Sequence, residues 1–335
     1  MTMTWRVTLG ALAFGLGAAL LAPVPAGAQA GAGRWTAPRT PWGHPDLQGV
    51  YTNRDETNTP LERPDQFAGR RLEDFTQADL ADLNRQRQAQ AAQVAGGIGG
   101  AETGAGPTHW YEHLQGQGAR PWLIVDPPDG RLPAFTPQAA RREAAIDALN
   151  GARNGEGRAD SWADRSLYDR CITRGLPGSM MPAIYGNAYQ ILQTPDSVAI
   201  RYEMIHETRI IPLDGRPRLG SDIRLHLGDA RGRWEGDTLV VETTNFTDRT
   251  HFGYNNRYNS LRFRLVERFT PVAAGTLRWE VTFDDPETWA RNWTFAMPLV
   301  RDDAQQIFEY ACHEGNRGLH NILTGARVEE AQRAR

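Results

Sequence analysis

Short segments of alternating apolar and polar residues fill the second half of the chain, and they restrict its fold more than any other feature. Leu277, Trp279 and Val281, for example, alternate with polar neighbours. This period of two is typical of strands with one buried face. Consecutive antiparallel strands leave exposed edges unless the sheet closes, so we expect a mainly β fold with an up-and-down barrel. The pattern predicts eight strands and allows a ninth, at 189–194, 197–206, 208–213, 222–227, 237–245, 261–270, 276–284, 291–300 and 306–312.

The first half of the mature chain has a different pattern. Thr76 and Asp79 resemble a capping box that starts a helix ending near residue 93. Thr136 and Pro137 are typical of a second helix start, whereas 96–106 is a glycine-rich loop. We therefore expect residues 31–170 to wrap around a barrel domain formed by residues 171–335, which ends in a helix over about 319–332.

The first thirty residues have the composition of an export signal. Arg6 precedes an apolar stretch, and the small residues Ala28 and Ala30 follow it. The apolar stretch is shorter than the roughly 20 residues that a membrane-spanning helix needs. We expect cleavage near Ala30, a periplasmic or secreted product, and no membrane anchor.

Charge and cysteine content narrow the possibilities further. The chain has 335 residues and a formal net charge of -3, which argues against nucleic acid as a partner. Its two cysteines, Cys171 and Cys312, would both be exported. An oxidising compartment favours a disulfide between them; the alternative is two buried free thiols. Neither feature predicts an oligomeric state.

Four segments carry a resemblance to a known group of proteins. They are Cys171-Ile-Thr-Arg-Gly-Leu-Pro-Gly, Tyr202-Glu-Met-Ile-His, residues 232–241 and residues 310–316. With them the chain resembles a large family of uncharacterised secreted proteins of soil and environmental bacteria. The strand pattern of the second half also resembles lipocalin-like (calycin) barrels. That resemblance implies a small, often lipophilic ligand, or cofactor-independent isomerase, lyase or decarboxylase chemistry.

His206 is the first candidate for catalysis. In the predicted strand 197–206 it shares the inward face with Tyr202 and Met204, and an inward histidine can act as a general acid or base. The alternative is a core histidine that is hydrogen-bonded to the backbone. Glu207 and Arg209 take the opposite face by the same count, which predicts an outer ion pair, although Arg209 is also kept as a substrate-binding candidate.

Glu267 is the second candidate, because it occupies the apolar register of Leu265 and Phe269. A carboxylate that faces a barrel interior is costly unless it is paired or protonated. Protonation would suit a general acid. The alternatives are a bulge that turns Glu267 outward and a buried pair with an arginine.

His313 and Glu314 follow Cys312 directly, so a disulfide would hold them rigidly at one rim of the barrel. They complete the predicted catalytic set. The alternative is an ordered connection to the last helix. A metal would require His206, His226, His313 or His320 to converge with a carboxylate, and we predict no metal site.

The remaining substrate-binding candidates are aromatic or polar residues expected near the barrel mouth. Residues 246–258 are long for a hairpin connection and predict a lid. Aromatic rings at a mouth can stack on sugars or on aromatic ligands, although ordinary packing is the alternative. The complete substrate-binding set is Tyr202, Arg209, Tyr254, Trp289, Trp293 and Asn316.

Two functions are consistent with these features. The first is an exported enzyme that needs no cofactor and uses acid/base residues in a barrel pocket, as a lyase, isomerase or hydrolase. Its substrate would be a small aromatic, terpenoid or sugar-derived compound. The second is a non-catalytic protein that binds a small ligand in the same pocket. No nucleotide-binding or serine-hydrolase motif is present.

Overall fold

A computed structural model describes residues 35–98, 111–114, 116–118, 120–151, 159–248 and 259–335. The predicted signal segment, most of the glycine-rich loop and Tyr254 lie outside these residues. The described part contains three α-helices, α1 Gln77–Ile98, α2 Pro137–Gly151 and α3 Arg317–Arg333. It also contains ten strands, β1 Gly49–Thr52, β2 Ile124–Asp126, β3 Ala188–Gln193, β4 Ser197–Tyr202, β5 Thr208–Pro212, β6 Asp229–Glu235, β7 Thr238–Thr244, β8 Arg264–Ala273, β9 Thr276–Asp284 and β10 Trp293–Arg301.

Nine of these strands form a nearly closed antiparallel barrel, which confirms the predicted fold class. Their order is β5-β4-β3-β1-β10-β9-β8-β7-β6, and β2 pairs with the first half of β10. No ladder joins β5 to β6 among the described strands. Gly232 of β6 lies against β5 at this seam, since a Cβ there would come within 2.9 Å of Ile211 and 2.6 Å of Leu213. Apolar side chains therefore close the barrel where hydrogen bonds do not.

One predicted strand is wrong. Residues 222–227 form a loop, and the strand of this region is β6, which begins at Asp229. Leu225 makes an isolated bridge to Phe246. The side chain of Asn245 donates hydrogen bonds to three backbone carbonyls of 219–223, at 2.9–3.3 Å, and holds that segment out of the sheet. The allowed ninth strand at 306–312 is also absent from the described residues.

The boundary between wrap and barrel also differs from the prediction. β1 belongs to the N-terminal segment but lies inside the barrel, where Tyr51 is opposite Tyr189 of β3 and Arg301 of β10. A division at residue 170 therefore passes through a single sheet. The N-terminal segment supplies one strand of the barrel wall, β1, and a second strand, β2, that pairs with the first half of β10.

The three helices lie outside the sheet, and α1 and α2 begin at the predicted positions, after Thr76 and at Pro137. Thr76 and Asp79 exchange hydrogen bonds at the start of α1, with the Thr76 amide 2.9 Å from the Asp79 carboxylate. The Asn316 side chain accepts from the Leu319 amide at the start of α3. None of the helices in the described residues is long and hydrophobic enough to cross a bilayer.

Cys171 and Cys312 form a disulfide, as predicted, with their Cα atoms 5.6 Å apart. The bond connects the segment before β3 to the segment between β10 and α3. It therefore fixes the C-terminal part of the chain to the barrel at a point where the described residues form no strand pairing.

Candidate functional site

Glu267 faces the barrel interior, as the alternation predicts. It lies opposite Val241 of β7 and Val281 of β9, and its exposed fraction is 0%. Cross-strand neighbours of this kind share one face of the sheet. The carboxylate is thus surrounded by apolar side chains, and its charge requires a buried partner.

Arg209 provides that partner, which makes the predicted outer pair of Arg209 with Glu207 wrong. Arg209 donates to Glu267 through two nitrogens, at 2.5 Å and 3.2 Å, and the indole nitrogen of Trp279 donates at 3.2 Å. The strand count failed because β4 ends at Tyr202 and a 3-10 turn, Met204–His206, precedes β5. Arg209 lies opposite the buried Ile200, and so points inward.

The environment keeps Arg209 charged. Burial alone would lower the pKa of its guanidinium, but the facing Glu267 carboxylate raises that pKa above its ordinary value. The pair therefore remains an ion pair in a dry interior. Loss of either partner would leave an uncompensated charge there, which typically costs about 3–5 kcal/mol.

Tyr202 lies beside this pair with its hydroxyl fully buried. Among the described residues the hydroxyl has no hydrogen-bond partner. Burial raises the pKa of the phenol well above its usual value; nearby Arg209 opposes the shift and Glu267 adds to it. An unpaired buried hydroxyl typically costs about 1–3 kcal/mol.

The described side chains around the ion pair enclose no water-sized space. A cavity large enough for a water molecule would leave accessible surface on its walls. The side chains next to Glu267 on the neighbouring strands, Val241, Val281 and Trp279, have none, and Tyr202 of β4 has none either. In this structure the centre of the barrel is packed like a core, and it offers no pocket at Glu267.

The structure does not bring the other predicted catalytic residues to Glu267. His206 ends the turn before β5, and its side chain lies outside the described residues, so a shared site with Glu267 stays a prediction. His313 and Glu314 are exposed, next to the disulfide. Asn316 caps α3 and donates to the Asp169 carbonyl at 3.0 Å, which is a structural role.

The two tryptophans among the substrate-binding candidates pack against protein neighbours. Trp289 stacks on Phe135 with ring centroids 4.7 Å apart. Trp293 stacks on Phe283 at 4.0 Å. Both rings are buried, in line with the packing alternative, and neither presents a free face for a ligand.

A cleft of about 570 Å³ lies outside the barrel, between α1 and the segment that follows β1. Its volume falls in the range of small-molecule sites, about 300–1,000 Å³. We call it the α1 cleft. The residues that line it are Asn58, Pro60, Pro64, Gln66, Phe67, Leu83, Gln86, Arg87, Gln90, Ala91 and Leu114.

The floor of the α1 cleft is apolar and its rim is polar. Leu83 and Ala91 are buried, whereas Gln66, Gln86 and Gln90 are exposed. Small-molecule sites commonly combine an apolar lining with a few polar groups that orient the ligand. The α1 cleft has this composition.

Arg87 holds the wall of the α1 cleft together. Its guanidinium donates to the Thr59 hydroxyl at 3.2 Å and to the carbonyls of Gly118, Arg120 and Pro121 at 3.1, 2.7 and 3.2 Å. These acceptors belong to two segments that are distant in sequence. The charged end of Arg87 is thus turned toward the protein and joins α1 to both segments.

Thr59 extends this network to a buried carboxylate. Its hydroxyl donates to Glu56 at 2.8 Å, and Glu56 is 4% exposed. Burial raises the pKa of Glu56; the bond from Thr59 and the charges of Arg120 and Arg87 oppose that rise. A titratable group therefore lies directly behind the wall of the α1 cleft.

The sequence contains a signal for the α1 cleft that the strand-based interpretation passed over. Leu83, Gln86, Arg87, Gln90 and Ala91 follow the spacing i, i+3, i+4, i+7, i+8, which places them on one helix face. Their mixed polarity does not fit an ordinary core-facing stripe. The opposite wall, 58–67, could not be predicted because its approach to α1 is a long-range contact.

The buried pair in the barrel is thus closed to solvent, whereas the α1 cleft is open to it. Among the described residues, no group of three or more His, Cys, Asp or Glu side chains could hold a metal ion. No protein-family model matches this chain, and no curated protein is significantly similar to it.

Proposed function

We propose that this protein binds a small molecule in the α1 cleft and does so without catalysis. The observation that carries the proposal is the cleft itself, a space of about 570 Å³ with an apolar floor and a rim of carboxamides. Arg87 supports the wall from behind, so the site is preformed. A preformed site loses less free energy to ordering when its ligand binds.

The packed barrel favours this location over a pocket at its centre. The carboxylate of Glu267 already accepts three hydrogen bonds, from Arg209 and Trp279. A general acid there would have to leave its arginine and meet a substrate in an interior without space. Acid/base catalysis by His206, Glu267, His313 and Glu314 remains a prediction, and the geometry around Glu267 favours a structural role for that residue.

Export belongs to the same proposal. The disulfide between Cys171 and Cys312 supports a periplasmic or secreted location, because such bonds persist in oxidising compartments. Membership of the secreted bacterial family stays a prediction that rests on the four motif segments. A small ligand taken up outside the cytoplasm would suit a binding protein of this kind.

The test uses the mature chain and a small-fragment set of neutral, anionic and cationic compounds, observed by saturation-transfer NMR. Gln90→Trp adds a large ring at the rim and should abolish binding of the cleft ligands. Gln88→Trp makes the same exchange at an exposed position of α1 that does not line the cleft, and should leave binding unchanged. If no fragment binds, or if both variants bind like the parent protein, the proposal is wrong.

A further inference from the structure

We infer that the ligand of the α1 cleft is a neutral molecule rich in hydroxyl groups, that is, a mono- or disaccharide. The inference rests on the proposed binding function and adds the chemical class. Three properties of the cleft support it: the prior engagement of the one ionisable side chain among its described lining residues, the carboxamides of the rim and the apolar floor.

Charge is the first property. Among the described residues that line the α1 cleft, Arg87 is the one with an ionisable side chain. Both of its terminal nitrogens donate to protein oxygens, the Thr59 hydroxyl and three backbone carbonyls. Among these described lining residues, an anionic ligand would meet one cation, whose terminal nitrogens already donate to protein oxygens, and a cationic ligand would meet no carboxylate. A neutral ligand loses the least solvation on entering.

The carboxamides are the second property. Gln66, Gln86 and Gln90 line the cleft and are exposed, so their side chains are accessible from solvent. A carboxamide has two N–H donors and a carbonyl acceptor, and a hydroxyl group is both donor and acceptor. Several carboxamides around one opening therefore match a ligand that carries several hydroxyls, in whatever direction each O–H points.

The floor is the third property. Leu83 and Ala91 are buried beneath the rim, and Phe67 and two prolines complete the apolar surface. Phe67 is held by an edge-to-face contact with Phe75, with ring centroids 5.1 Å apart. A sugar ring has an apolar face of C–H groups and a polar edge of hydroxyls. It can place the first on this floor and the second toward the carboxamides.

The experiment titrates the mature protein with glucose, maltose, cellobiose, sucrose and glucuronate and follows binding by calorimetry and NMR. We expect at least one neutral sugar to bind, and glucuronate to bind no more tightly than glucose. The double variant Gln86→Leu/Gln90→Leu should weaken sugar binding by about tenfold, the loss expected for one or two hydrogen bonds. Gln88→Leu should change it less than about twofold.

The outcomes separate this inference from the proposed function. If fragments bind in the cleft but none of the four neutral sugars does, the inference is wrong and the binding function stands. Glucuronate binding about tenfold tighter than glucose binding would also overturn the neutral class. If neither fragments nor sugars bind, the proposed function itself is wrong. Because Gln86 and Gln90 are exposed, the double variant should fold normally, and circular dichroism checks this.

Discussion

The barrel interior and the α1 cleft each contain an arginine whose two terminal nitrogens donate to protein oxygens, but the acceptors differ. Arg209 faces a carboxylate that has no accessible surface, and is itself almost fully buried. Arg87 faces neutral oxygens next to an open cleft. In the barrel the positive charge of Arg209 is paired with the Glu267 carboxylate and buried. In the cleft the terminal nitrogens of Arg87 donate to oxygens of the wall, so these donors are occupied before a ligand binds.

The comparison distinguishes a buried arginine that stabilises the fold from a buried arginine that supports a binding surface. A buried ion pair places a high cost on removing one partner. A positive charge satisfied by backbone carbonyls joins segments without creating an anion site. Four sets of variants test the contrast.

The largest effect should come from breaking the buried pair. Arg209→Met leaves the Glu267 carboxylate without its partner in a dry interior, and should lower the free energy of unfolding by about 3–5 kcal/mol in urea denaturation. The double variant Arg209→Met/Glu267→Leu should recover most of that loss. Arg278→Met, which breaks an exposed pair with Glu280, should cost about 1 kcal/mol or less. A similar loss for all three would show that the barrel pair has no special role.

Removal of Arg87 from the α1 cleft should have the second largest effect on the free energy of unfolding. Arg87→Met deletes hydrogen bonds to four oxygens in two segments, and should cost about 2–3 kcal/mol by the same measurement. Binding in the cleft should weaken at the same time, because the wall loses its support. Arg85→Met, on the exposed side of α1, is the matched control and should affect neither property. An Arg87→Met protein that is as stable as the parent protein and binds the ligand equally well would contradict this role of Arg87.

Two buried tyrosines should respond differently to loss of the hydroxyl group. The Tyr202 hydroxyl has no hydrogen-bond partner among the described residues, so Tyr202→Phe should leave stability unchanged or raise it by up to about 1 kcal/mol. The Tyr189 hydroxyl donates to Asn53 at 3.0 Å, and Tyr189→Phe should cost about 1–2 kcal/mol. Thermal unfolding of both variants checks the sign. Equal losses of stability would mean that the Tyr202 hydroxyl has a hydrogen-bond partner in solution.

The last effect is a dependence on pH. Burial raises the pKa of Glu56, so its contribution to stability is fully present below the ordinary pKa of a glutamate and is lost as the pH rises through the raised value. Glu56→Gln should remove this decline. Urea unfolding of both proteins between about pH 4 and pH 8 measures the difference. Parallel curves would show that Glu56 does not titrate in this range.

The sequence predicted most of the fold wherever local alternation was sufficient. β9 was predicted with its observed bounds and β8 within three residues of them, because apolar and polar residues alternate along β9 and over the first half of the predicted strand 261–270. Arg209 was placed on the wrong face because that period does not continue through the turn at Met204–His206, where Ile205 has a φ of 61°. β6 was missed because it contains arginines and a glycine, and its place in the sheet depends on β7.

The candidate site was less predictable than the fold. The inward position of Glu267 followed from its register, and a buried pair with an arginine was one of the alternatives. The identity of that arginine depended on a contact between β5 and β8, which no local pattern encodes. For the α1 cleft the helix face could be read from the sequence, but its opposite wall is set by tertiary packing.

The position of β1 has a consequence for how the chain folds. This strand is the first of the barrel to be synthesised, yet its two neighbours, β3 and β10, come from the middle and from near the end of the chain. Contacts between residues so distant in sequence are slow to form, because a large loop must close before they contribute. The barrel wall therefore stays interrupted until β10 has left the ribosome. Whether folding begins during synthesis or after export, the barrel wall cannot be completed until nearly all of the chain is available.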